Sequence, residues 1–170
     1  MCKKLVLLNT FLFLIFFIAG CSKSEQSYWD EAVNYQKAGK YKEAVASYKA
    51  LAEEYPESNN AVKALFEAAK IYQVKMIKEV EPKQSMLKAI EFYNKIYNDY
   101  NESPEAPKAL FMKAFIESNE LQNYDAAKQT YNLFLTKYPN NEMAASAKAE
   151  LETIGLTPEE ILSRNTQVKK

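Results

Sequence analysis

From Tyr41 onward, apolar residues return at intervals of three and four: Tyr41, Ala44, Val45, Tyr48, Leu51, Ala52 and Tyr55. That spacing lays them along one face of an α-helix. No stretch shows the period-two alternation of a half-buried strand. Glycine stands only at positions 20, 39 and 155. The pattern predicts an all-α protein. Between Val74 and Ser85 the rhythm loosens, and this stretch is expected to extend one helix until Pro82 opens the next. Met143 to Ile154 reads as a further helix, with Gly155 placed to stop it in the left-handed conformation. Thr157-Pro158-Glu159-Glu160 is a capping box with proline at the first helical position. It opens a short helix to about Ser163, expected to cover the last apolar face, before a frayed tail.

The helical pattern repeats. "YKEAVASYKALAEEYPES" from Tyr41 and "YDAAKQTYNLFLTKYPNN" from Tyr124 align at a distance of 83 residues. A middle copy, "LKAIEFYNKIYNDYNES", places Ala89, Tyr93, Ile96 and Tyr100 45 residues after Ala44, Tyr48, Leu51 and Tyr55. Each copy ends on a tyrosine, turns through Ser, Asn or Glu, and resumes on paired alanines: Ala61/Ala64, Ala106/Ala109 and Ala144/Ala147. Alanine at a helix crossing lets two axes approach, and the ring of a tyrosine fills the space beside it.

This arrangement resembles the tetratricopeptide repeat, a helix–turn–helix unit of 34 residues. The first unit carries the resemblance best, with Tyr28, Ala32, Tyr35, Ala44, Tyr48 and Pro56 at family positions and Leu51 where the family prefers alanine. The resemblance implies a short right-handed α-solenoid of about three tetratricopeptide-type helix pairs with a C-terminal capping helix. On this reading residues 28–155 are the repeat domain and 156–170 the capping helix and tail.

The start of the chain has a different pattern. After Met1-Cys2-Lys3-Lys4, residues 5–19 are almost continuously apolar. A run of this length is short for a transmembrane helix and, with its basic leader and small residues at its end, fits a signal peptide. Ile18-Ala19-Gly20-Cys21 resembles the bacterial lipobox. That resemblance implies a signal peptide over 1–20, acylation of Cys21 and a tether over 21–27. Several acyl chains hold a protein firmly to a bilayer, where one would not.

Composition narrows the chemistry. The chain balances 22 basic against 22 acidic residues; loss of Lys3 and Lys4 with the signal leaves 20 against 22, a net charge of −2. That balance argues against nucleic acid as a partner. There is no histidine, and Cys21 is the single cysteine after the signal. Histidine-based triads and the usual zinc sites are therefore unavailable. Adjacent carboxylates such as Glu53-Glu54 point apart on a helix and read as solvated. No enzyme activity, cofactor beyond the covalent lipid, or small-molecule substrate is expected.

In the tetratricopeptide family the first helix of each pair lines a groove for partner peptides. With Ala32, Ala69 and Ala114 as the small-residue positions, the resemblance implies groove sites at Gln26, Trp29, Val33 and Gln36 in the first unit. Lys63, Phe66, Lys70 and Gln73 follow in the second, and Lys108, Phe111, Phe115 and Ser118 in the third. Aromatic anchors flanked by lysines suit a segment with apolar anchors and acidic flanks. The competing expectation is that the phenylalanines pack between helices. Signal, lipobox and repeats together are similar to the BamD-type lipoproteins of the outer-membrane β-barrel assembly machinery. The repeat region is also similar to that of the Tol–Pal-associated cell-division coordinator. The resemblance implies a scaffold lipoprotein of the outer membrane facing the periplasm, binding envelope proteins or peptide segments. A pilotin-like targeting chaperone for a secretin or pilus subunit is the alternative.

Overall fold

The computed structural model describes residues 23–167, with side chains to Ser163. Eight α-helices follow one another: α1 (Glu25–Lys37), α2 (Tyr41–Glu54), α3 (Asn59–Gln73), α4 (Pro82–Asp99), α5 (Glu105–Phe115), α6 (Tyr124–Lys137), α7 (Ala144–Thr153) and α8 (Pro158–Gln167). A π-helical turn, Ile116–Glu120, continues α5. From α1 to α7 each helix packs against the next in sequence order, giving an all-α solenoid of three pairs, α1/α2, α3/α4 and α5/α6. There is no strand among the described residues.

The repeated residues hold the stack together. Ala61, Ala64, Ala106, Ala109 and Ala147 are completely buried, and Ala144 almost so. Tyr48, Tyr93 and Tyr131 are the largest fully buried side chains. Each reaches back across its pair to the same place on the preceding helix. Tyr48 meets the Trp29 ring edge-on at 5.5 Å and donates its hydroxyl to Gln36 at 3.1 Å. Tyr93 meets Phe66 at 5.3 Å and donates to Gln73 at 2.7 Å. In both pairs the aromatic partner lies three residues before the small residue (Ala32, Ala69) and the glutamine four after it. The tyrosine thus lies across the alanine, and its one polar atom is satisfied at the far edge. Burial pushes the Tyr48 hydroxyl up to about 12, with the Glu67 charge adding to the effect.

The three pairs differ in length, and each absorbs the difference differently. Ala32 and Ala44 are 12 residues apart, Ala114 and Ala127 are 13, and Ala69 and Ala89 are 20. The first pair turns through Ala38, Gly39 and Lys40. Gly39 is left-handed (φ +73°), with Lys40 N–H bonded to Tyr35 O and Gly39 N–H to Gln36 O, a Schellman stop. The one extra residue of the third pair is taken up by the π-helical turn, where Leu121 N–H reaches back five residues to Ile116 O. The eight extra residues of the second pair are divided between a loop, 74–81, five residues longer than the turn of the first pair, and a longer N-terminal start of α4, which Pro82 opens as expected. The expected extension of a helix through this stretch is not found. Lys75 takes the left-handed position (φ +57°), and Met76 N–H to Ile71 O with Lys75 N–H to Tyr72 O ends α3 as the first pair ends α1. A lysine in this conformation gave no glycine signal to read. Its side chain bonds Glu120 at 2.8 Å, tying the loop to the π-helical turn.

The third pair lacks the hydrogen bond of the other two. The position of Gln36 and Gln73 is taken in the third pair by Ser118. Tyr131 still packs on Phe111 at 5.6 Å, but its buried hydroxyl has no hydrogen-bond partner among the described residues. The turn instead brings in Glu117, buried, which accepts from the Thr130 hydroxyl at 2.6 Å and pairs with Lys113 at 3.6 Å.

Both ends depart from expectation in detail. α1 begins at Glu25, capped by the Ser24 hydroxyl accepting from Ser27 N–H, so residues 25–27 of the expected tether are helical. At the other end Gly155 is left-handed (φ +81°), and the capping box forms: Thr157 N–H donates to Glu160 at 2.8 Å, and Glu160 N–H to the Thr157 hydroxyl at 3.3 Å. α8 runs beyond Ser163 to Gln167. It contributes little cover, since Leu162 is 67% exposed. α7 closes the stack. Its Glu152, exposed, stands where the register would place the next buried alanine after Ala32, Ala69 and Ala114, so α7 offers no seat for another tyrosine.

Leucine at Ala64 or Ala109 is expected to overpack a helix crossing and lower stability by about 1–3 kcal/mol; unchanged thermal melts for both variants would contradict the register. Tyr93→Phe should lose about 1 kcal/mol with its hydrogen bond, whereas Tyr131→Phe, which removes an unpartnered hydroxyl, should be neutral or stabilising. Denaturant melts of the two variants side by side decide this, and equal losses would refute it.

Candidate functional site

The structure brings the expected groove residues onto successive first helices but uses many of them internally. Phe66 is 9% exposed against Tyr93. Phe111, half-buried, lies between Tyr131 and Phe134 at 5.6 and 5.8 Å. Trp29 is half-buried on Tyr48, and Phe115 is also half-buried. Gln36 and Gln73 are held by the tyrosine hydroxyls. Lys70 pairs with Glu67 at 2.6 Å. Lys108 places its ammonium 5.1 Å above the Phe66 ring, linking the third unit to the second. Gln26 is exposed and bonds Asp30, Val33 is half-buried, and Ser118 is buried in the π-helical turn. The rings therefore pack within each pair first, and Trp29, Phe111 and Phe115 keep partial exposure. Cys21 lies outside the described residues.

Lys63 is placed elsewhere. It lines a cleft of about 1010 Å³ at the end of the solenoid where second helices turn into first helices. The walls are two copies of one turn, Pro56-Glu57-Ser58 and Asn101-Glu102-Ser103, 45 residues apart. Five carboxylates line it (Glu53, Glu57, Asp99, Glu102, Glu105) against two ammonium groups, Lys63 and Lys95, a local balance of −3. Lys95 is engaged by Asp99 at 2.6 Å, which raises the ammonium pKa above its ordinary value. Glu57, Glu102 and Glu105 have no ion-pair partner among the described residues. The repeated Glu-Ser of the turns was the sequence signal for this cleft; it reads as turn chemistry until the stack sets the two copies side by side.

Residues 26–58 and 108–141 match a family model described as tetratricopeptide repeat. No curated protein matches the sequence. The two matched segments are the α1/α2 and α5/α6 pairs, which turn after three residues and after a one-residue π insertion. The pair with the eight-residue loop falls outside the match but keeps the same tyrosine-on-alanine contact. Two segments of the chain thus match the tetratricopeptide repeat, and all three helix pairs of the all-α solenoid share one packing contact.

Proposed function

We propose that the protein is an envelope lipoprotein, anchored through acylated Cys21, whose repeats act as an adaptor for protein partners on the periplasmic side of the outer membrane. Its role is in outer-membrane assembly or envelope maintenance. Tetratricopeptide repeats are protein-interaction modules, and the stack of three pairs is the observation that carries the adaptor reading. Binding by such a module needs exposed side chains on a rigid frame. The buried tyrosines supply the frame.

The anchor rests on Ile18-Ala19-Gly20-Cys21 after the apolar run. No helix of the described residues is long and apolar enough to cross a membrane. α1 is capped at Ser24, so Ser22 and Lys23 alone separate Cys21 from the first repeat's cap. On this reading the repeats are held close to the lipid surface, where they meet other anchored proteins at raised local concentration.

Mass spectrometry of the amino-terminal peptide from the membrane-bound protein should find a chain beginning at acylated Cys21, and no acylation in Cys21→Ser. An intact, unmodified Met1 start would contradict the anchor. Crosslinking in cells tests the adaptor reading: the same envelope proteins should be captured repeatedly by the wild-type chain, and their absence would contradict it.

A further inference from the structure

In the first two pairs a glutamine, Gln36 or Gln73, meets the tyrosine hydroxyl. Ser118, with a much shorter side chain, holds that position in the third pair and lines a cavity of about 280 Å³. The π-helical turn, the start of α6, the end of α7 and Ile161 of α8 enclose it. Ser118 is only 6% exposed, and its hydroxyl has no hydrogen-bond partner among the described residues. Unlike the Tyr131 hydroxyl, it is not sealed from solvent, so the space it reaches is the cavity. Glu150, half-buried on the α7 wall, has no ion-pair partner among the described residues. Burial, with the Glu150 and Glu117 charges adding to it, pushes the Tyr131 hydroxyl pKa up, so the Glu150 carboxylate lies close to the core of the pair. Asn119 donates its side-chain N–H to Phe115 O at 3.3 Å, which leaves its amide oxygen as a free acceptor. Single π-helical turns recur at functional sites.

We propose that this cavity binds a primary ammonium group, carried by a lysine side chain of a protein partner or by a small alkylamine. The lysine form rests on the adaptor reading; the alkylamine form does not. An ammonium has three donors and no acceptor. The cavity offers it a carboxylate, a hydroxyl oxygen and a free amide oxygen, from Glu150, Ser118 and Asn119. The Tyr124 ring, 38% exposed, adds an aromatic face for the cation. Left-handed Gly155 lets that ring lie close, since a Cβ there would stand 3.4 Å from it. The alternatives fit less well. No lysine or arginine lines the cavity, so an anion would meet Glu150 uncompensated. Glu150 is the only carboxylate in the lining, too few for a divalent ion held by protein oxygens. The volume falls just below the range of about 300–1,000 Å³ for drug-sized ligands and suits one short alkyl chain.

Saturation-transfer NMR with the full chain tests the proposal, using Nα-acetyl-lysine methylamide, n-butylamine and, as the uncharged counterpart, n-butanol. The amines should receive saturation and butanol should not. Transfer to the lysine derivative assigns the site to a partner's side chain; transfer to n-butylamine alone assigns it to free amines. Glu150→Gln should weaken amine binding about tenfold. Ser118→Ala, with charge unchanged, should weaken it severalfold. Glu142→Gln, which removes the same charge from an exposed turn elsewhere, should change it less than about twofold. No transfer to either amine, equal transfer to butanol, or equal effects of Glu150→Gln and Glu142→Gln would overturn the site. Such an outcome is separable from failure of the adaptor reading, which would appear as absence of captured envelope proteins.

Discussion

A tyrosine ring laid across an alanine is the contact on which the rest of this solenoid depends. Helix axes approach closely only where the crossing residue is small, and the space beside the crossing must then be filled by something large. Tyr48, Tyr93 and Tyr131 do this against Ala32, Ala69 and Ala114, each with an aromatic edge from the residue three places before the alanine. Because the contact is the same in every pair, each pair presents similar edges to the next. The first-helix alanines then carry the stacking from unit to unit.

That constraint fixes where the chain tolerates change. Insertions fall between the helices of a pair, in loop 74–81 and in the π-helical turn 116–120, and leave the tyrosine contact in place. The polar half of the contact is more fragile. In the third pair the place of the glutamine, four residues after the alanine, holds Ser118, and the Tyr131 hydroxyl is left without a partner among the described residues. The stack ends for a similar reason, since Glu152 of α7 offers no small surface for a fourth tyrosine.

The period of the apolar residues, the alanine pairs and the recurring tyrosines were legible from the sequence because each is a local, repeated requirement of packing. So were Gly155 and the capping box at Thr157. The left-handed Lys75 was not legible, because lysine gives no local sign of that conformation and the surrounding contacts impose it. The π-helical turn was hidden for another reason: a one-residue difference in spacing is visible, but not which turn absorbs it. The first-helix aromatics were placed on the right elements; their division between packing and exposure depends on how deeply each tyrosine reaches. The cleft was the hardest to read. Its walls are two turns 45 residues apart, a relation that exists only after stacking.

Hydrogen exchange of the full chain, read helix by helix, tests the central claim that one shared contact binds all three pairs despite their different insertions. The amides of α3 and α4 should be protected to the same degree as those of α1 and α2, while α8 exchanges far faster than α7. Exchange of α3 and α4 at the rate of α8 would contradict the account.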